Sequence, residues 1–361
     1  MATTTPWTVA RPTGARMKPV GLTHEFLKNP LLFMRTHSMS PPNDSGNTWL
    51  TDFGTSASVS KVADRYFEDD TAHDIDRRTG AGGIRHVKIV EHTSMDFPGA
   101  TGLKILPNGT QQDGSWVPVY FLPWRSLNIL SYQIPGIPHG LADWDDDEYP
   151  RFFFTAGING CSVFAQGSPE SPTISHAGIN GNLTRPAGEF WRMQMALTKS
   201  GYGSEAIRGE ANKHEYMFNK GQPHKLATEY SKFLSSNDSK DFKIEIQSPF
   251  GCVFGIRFGR SWTLYLQKSV VFNKVRFYKK SGVREQARGN LTDHFAKDSG
   301  MLATKLPSQF VGRRLGALPL PGKKEVQVFS TSQRFSMPLE ITEMYPNKKS
   351  LGDLREVFKP A

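Results

Sequence analysis

A glycine or a proline interrupts this chain every few residues, 33 of the first and 24 of the second. Such punctuation leaves room for short strands closed by turns and little room for long helices. Between the breaks, apolar residues alternate with polar ones from about Val87 onward: Val87 and Ile89, Leu103 and Ile105, then Trp116 to Leu122 and Leu127 to Ile134, with Pro107-Asn108-Gly109 as an intervening turn. Arg151 to Ala156 and Cys161 to Gln166 read as buried strands. Strands resume with Phe242 to Gln247, Cys252 to Phe258, Trp262 to Gln267 and Val270 to Tyr278, with Phe250-Gly251 and Gly259-Arg260 near the turns. A last strand is expected near Val326 to Phe335. Helical spacing occurs at Phe190, Met193 and Leu197, and again after Pro223 at Leu226, Tyr230 and Phe233. The expected class is therefore α+β dominated by β, with sandwich-like mixed sheets and flanking helices.

Residues 1 to 45, rich in Thr, Pro, Ser and Asn without periodicity, read as a flexible leader. Residues 46 to 361 read as a single catalytic α/β domain with a basic C-terminal third. No stretch approaches 18 consecutive apolar residues, and the N-terminus has no apolar core of the kind a Sec-type signal needs, so no membrane span is expected. The two cysteines, Cys161 and Cys252, are expected to be reduced thiols. Of the net charge of +10, residues 255 to 361 carry 20 Lys and Arg against 8 Asp and Glu. A field of that sign steers acidic proteins, nucleic acid or anionic surfaces alike, or simply keeps the surface solvated.

Several chemistries lack their motifs. There is no Gly-x4-Gly-Lys phosphate loop, and Gly80-Ala81-Gly82-Gly83 fails dinucleotide spacing because Arg85 stands where the last glycine belongs. There is no Gly-x-Ser-x-Gly elbow and no His-Glu-x-x-His or Cys-x-x-Cys pattern. The acidic run Asp143 to Glu148 lacks the glycine and spaced ligands of a calcium loop and reads as solvated. Neither a metal nor a cofactor is expected.

What remains is the run from Phe152-Phe153-Phe154-Thr155 through Gly157-Ile158-Asn159-Gly160 to Cys161, followed fifteen residues later by His176. A glycine-rich turn clears side chains from around a thiol and lets a substrate carbonyl approach the backbone. Gly167-Ser168-Pro169-Glu170-Ser171-Pro172 is a natural turn, so an antiparallel return strand brings His176 back beside Cys161. An imidazole there supports the thiolate, the nucleophile for acyl transfer, and the backbone N–H groups at Gly160 and Cys161 are the expected oxyanion donors. The inert alternative is a small apolar core cysteine and a satisfied turn histidine. Cys252 also follows a glycine, but its only downstream histidine is His294, 42 residues away across a basic loop, and it reads as core.

The segment resembles the active-site region of the cytotoxic necrotizing factor and Burkholderia lethal factor class of glutamine deamidase toxins, in which a Gly-Cys pairs with a histidine one strand later. Thr155, six residues before Cys161, stands where the lethal factor carries a functional threonine, and the Cys-to-His interval is similar to that of the necrotizing factors. The resemblance spans roughly 25 residues. It implies Cys161, His176 and Thr155 as catalytic residues, a sandwich-like α/β domain without cofactor, and a third element that in part of the class is an upstream backbone carbonyl. It further implies a secreted effector acting on a protein glutamine in a host cell, delivered without a Sec signal, with the basic surface docking an acidic partner.

Two other readings compete. One is a different Cys-His acyl-transfer enzyme, a protease or transglutaminase, although those families place histidine far downstream. The other is a nucleic-acid-binding or structural protein in which Arg257, Arg260, Lys268, Lys274, Arg276, Lys279 and Lys280 interleave with Phe258, Trp262, Tyr265, Phe272 and Tyr278. Such a face would stack bases on aromatics between cations. Any half-exposed strand gives the same alternation.

Overall fold

The computed structural model describes residues 21–42, 55–62, 73–92, 96–106, 115–140, 148–178, 190, 191, 194, 207–216, 242–281, 311–318, 326–347 and 349–353. Fifteen strands among them form two mixed sheets. The smaller has six strands in the order β1 (Thr55–Val62), β2 (His73–Thr79), β6 (Asn128–Gln133), β9 (Ser171–Gly178), β8 (Ser162–Ser168) and β10 (Ile207–Ala211). The larger runs β13 (Val311–Leu318), β14 (Val326–Tyr345), β12 (Ser261–Ser281), β11 (Phe242–Phe258), β7 (Phe152–Thr155), β5 (Val117–Leu122), β3 (Gly83–Glu91) and β4 (Thr101–Ile105), with β15 (Lys349–Asp353) added on β14. Pairing is antiparallel except for β2 with β6 and β5 with β7. The β-dominated α+β class is thus as expected. Among the described residues no helix is long and apolar enough to cross a membrane.

Alternation along β7 decides the layering. Phe152, Phe154 and Ala156 point to one side of the larger sheet, into a core shared with Cys252, Phe254 and Tyr265. Two short helices, α1 (Leu22–Lys28) and α2 (Pro30–Thr36), close that core with Phe26, Phe33 and Met34. The leader expected over residues 1 to 45 therefore gives way to packed structure from Leu22. Asn29 caps α2 by accepting from the Leu32 N–H at 3.1 Å, Pro30 sits at its first turn, and Phe26 meets the Phe152 ring at 4.9 Å between centroids. Gln267 in β12 ties α2 down: its amide nitrogen donates to the carbonyls of Met34 and His37, and its Oε1 accepts from the Met39 N–H at 2.8 Å.

Phe153 points the other way, into a core between the sheets. There Tyr120, Phe153, Val253, Trp262 and Leu264 of the larger sheet meet Leu130, Val163, Ala165 and Ile174 of the smaller one. Burying an aliphatic or aromatic side chain of this size is worth about 1.5–3 kcal/mol.

Several expected boundaries shift. Phe242–Phe258 and Ser261–Ser281 are each continuous, joined in one hairpin with Gly259 at φ +60° in its turn. Phe250-Gly251 is mid-strand and makes no turn. Phe190, Trp191 and Gln194 are helical, as the spacing near Phe190 predicts. Met193, Leu197, the segment from Pro223 to Phe233, residues 1 to 20, most of Asp143 to Glu148 and His294 lie outside the described residues.

Candidate active site

The turn between β7 and β8 is held from two sides. Ile158 and Gly251 exchange backbone hydrogen bonds of 2.9 and 2.8 Å, the Ala156 N–H donates to the Leu122 carbonyl at 2.9 Å, and the Gly157 N–H to the Pro41 carbonyl at 3.2 Å. A Cβ on Gly251 would stand 2.8 Å from the Ile158 side chain, so this close approach requires glycine. Gly160 carries φ +112°, a conformation L side chains rarely adopt, and it turns the chain so that Cys161 leads into β8.

The hairpin of β8 and β9 then has the expected form. Val163 pairs with His176 and Ser162 with Ala177. Paired residues and their i±2 neighbours share a face, so Cys161, Val163, Ile174 and His176 all point into the core between the sheets. Cys161 lies one residue beyond the last pair, across from Gly178 and diagonal to His176. Thr155 occupies the same inter-sheet space from the opposite wall, because it alternates with Phe154 and follows Phe153 by two. Its Oγ1 lies 2.5 Å from His176 Nδ1. This hydrogen bond joins the two sheets and pairs Thr155 with His176, while Cys161 lies on the same inter-sheet face and makes no hydrogen bond to His176 Nε2.

His176 has no exposure and Cys161 only 5%. Burial pulls the imidazole pKa down from 6.5 to about 3, so the resting ring is neutral. Its Nε2 is buried and has no hydrogen-bond partner among the described residues. When Nδ1–H donates to Thr155 Oγ1, Nε2 carries the lone pair, the tautomer a general base needs.

Two side chains unmarked by any sequence pattern complete the surroundings. Tyr216, buried at the end of α3 (Lys213–Tyr216), accepts from the Gly160 N–H at 2.7 Å and donates to the Cys161 carbonyl at 2.7 Å. Burial first, and the neighbouring Cys161 second, push its phenol well above the ordinary tyrosine range, so it stays protonated. The Gly160 amide expected as an oxyanion donor is thus committed to a phenol. Trp124, just after β5, packs against both cores, and its buried Nε1 has no partner among the described residues. No motif marks either residue, since each sits at an element end and reaches the site only through tertiary packing. Lys213 is exposed at the rim, its Nζ 4.0 Å from where a Cβ on Gly160 would be.

Cys252 points to the other side of the larger sheet, fully buried in the core beneath α1 and α2, where burial raises its thiol pKa. It is core, as expected, and remote from His176. Among the described residues no three His, Cys, Asp or Glu side chains gather as a metal site.

Several of the interleaved aromatics and cations of the competing reading whose side chains are described are buried or paired. Trp262, Tyr265 and Phe272 are buried. Arg257 is buried too, its guanidinium donating to the Tyr149 carbonyl, and Lys268 pairs with Glu340 at 2.8 Å. Arg260 donates to the Ile137 carbonyl at 3.1 Å. The side chains of Arg276, Tyr278, Lys279 and Lys280 lie outside the described ones. The alternation here is that of half-buried strands. No protein-family model matches the chain, and a search of curated proteins likewise finds no match.

Proposed function

We propose that this chain is a thiol-dependent amidohydrolase that converts a glutamine side chain on a protein partner to glutamate, a fold and mechanism of the deamidase-toxin kind. The observation that supports the reading is the 2.5 Å bond between Thr155 and His176 Nδ1, which orients a neutral imidazole on the same inter-sheet face as Cys161. A histidine serving only as packing has no need of such an orienter on the opposite sheet.

In the reaction, His176 Nε2 takes the proton of the Cys161 thiol as sulfur attacks the carboxamide carbon. The tetrahedral oxyanion collapses, the C–N bond breaks, and ammonia leaves with the proton from His176. Water, deprotonated by His176, attacks the thioester and releases glutamate and the thiol. Nothing but water is consumed. The Thr155 hydroxyl accepts from Nδ1–H and steadies the imidazolium that forms in each half. The exposed Lys213 and the basic C-terminal third suit an acidic partner, and delivery as a secreted effector accords with that role.

Incubation with a cell lysate tests the reading: one peptide should gain about 1 Da, with the gain blocked by thiol alkylation and indifferent to chelators. Cys161→Ser should abolish it with the fold intact, His176→Ala should cost about 10²–10⁴-fold, and Thr155→Ala should cost less. A Cys161→Ser protein as active as wild type would overturn the assignment.

A further inference from the structure

The half-buried Trp124 sets its buried indole nitrogen over Gly178. Gly178 pairs with Asn128 on one side; on the other, the register of β8 with β9 ends at Ser162 and Ala177, and its continuation by one residue sets Gly178 towards Cys161. A Cβ on Gly178 would come within 2.0 Å of Trp124 Nε1 and 2.6 Å of the Arg125 carbonyl. That Cβ would point to the same inter-sheet face as His176 and Cys161, since Gly178 follows His176 by two. Glycine at position 178 therefore leaves the space that the indole N–H fills. Cross-strand Cβ atoms are about 4.5–5.5 Å apart, so this donor stands over the position facing the nucleophile.

A buried indole N–H ordinarily finds an acceptor. Two buried polar atoms of this inter-sheet face lack partners among the described residues, Trp124 Nε1 beside Gly178 and Nε2 of His176, two residues before Gly178. One donates. The other, in the tautomer held by Thr155, accepts. A primary carboxamide offers the complementary pair, a carbonyl oxygen and an NH2. The Gly160 amide, bonded to Tyr216, is not offered.

We infer that the Trp124 indole N–H is the oxyanion donor of this site, binding the oxygen of a primary carboxamide while His176 Nε2 faces its nitrogen. The inference rests on the thiol amidohydrolase reading and adds to it both a catalytic residue and the reason for selecting a carboxamide. As Cys161 sulfur bonds to the carbonyl carbon, the π pair moves onto oxygen, and the indole N–H shortens onto the charge that develops there. Such a donor is worth about 10²–10³-fold in kcat.

Butyraldehyde, whose chain matches a glutamine side chain with an aldehyde in place of the amide, isolates this role. It adds the thiol across its carbonyl to give a hemithioacetal on Cys161, with no leaving group. Trp124→Phe should weaken that adduct about 100-fold and lower lysate deamidation by about 10²–10³-fold in kcat, while iodoacetamide alkylates Cys161 at the wild-type rate. Equal aldehyde affinity in wild type and Trp124→Phe overturns the inference while leaving the thiol chemistry standing. A wild-type Cys161 inert to both reagents overturns the underlying reading, and this one with it. Should Trp124→Phe fail to fold, the indole 15N–1H resonance of Trp124 in the intact protein decides. It should shift on aldehyde addition and stay fixed in Cys161→Ser; a resonance unmoved in wild type overturns the donor role.

Discussion

At the scale of single residues, His176 makes a measurable link between chemistry and stability. Its folded pKa of about 3 lies below the ordinary 6.5 because the ring is fully buried. Between those values the unfolded chain binds a proton that the folded chain refuses, so the stability contributed is complete above pH 6.5 and drains away as pH falls towards 3. Across that window one proton costs about 1.4 kcal/mol per pH unit. Urea midpoints measured from pH 7 to pH 4 should therefore fall more steeply for wild type than for His176→Gln. Parallel slopes would mean that the imidazole charges without unfolding the protein. The hairpin that sets Val163 against His176 was legible in the sequence, because a glycine-rich turn and a loop of defined length fix its spacing, while Thr155 was singled out only by resemblance. Trp124 and Tyr216 were not legible, because each reaches the site from an element end that only the packing of the two sheets brings near. The same packing explains why Gly160, expected to offer its amide, instead donates it to Tyr216.

At the scale of elements, alternation located most of the strands that form the two cores. It misjudged where they stop. Phe250-Gly251 looked like a turn because glycine favours one, yet Gly251 serves within β11 as the point where Ile158 presses against the strand. Helices α1 and α2 escaped notice because each is 7 residues long, too short for a 3.6-residue period to repeat. Their signals were local ones, Asn29 and Pro30. The role of Gly251 carries its own test. Gly251→Ala would set a methyl 2.8 Å from Ile158 Cγ1 and push on the turn that presents Cys161. It should cost about 1–3 kcal/mol, read by denaturant midpoint, and lower the proposed deamidation beyond what the unfolded fraction explains. Wild-type activity per folded molecule would show that the Ile158 bridge does not position the thiol.

At the scale of the whole molecule, Cys161 and His176 belong to one sheet's hairpin and Thr155 to the other sheet, so the Thr155–His176 bond exists only while the sheets stay stacked. Charge distribution was readable from the sequence, whereas its pairing was not: Lys268 finds Glu340 across β12 and β14, 72 residues on. The two thiols were weighed as rivals, and they lie in separate cores, Cys161 between the sheets and Cys252 beneath the helices. That separation turns them into a pair of clocks. Reagent labelling of Cys161 in native buffer times the opening of the inter-sheet space, and labelling of Cys252 times the lifting of α1 and α2 from the larger sheet or the collapse of the whole fold. The first should run faster than the second, and with denaturant the two should converge only at global unfolding. Equal rates in native buffer would make the protein a single cooperative unit with no private motion at the thiol. A faster Cys161 would measure directly how often the closed resting molecule admits a visitor.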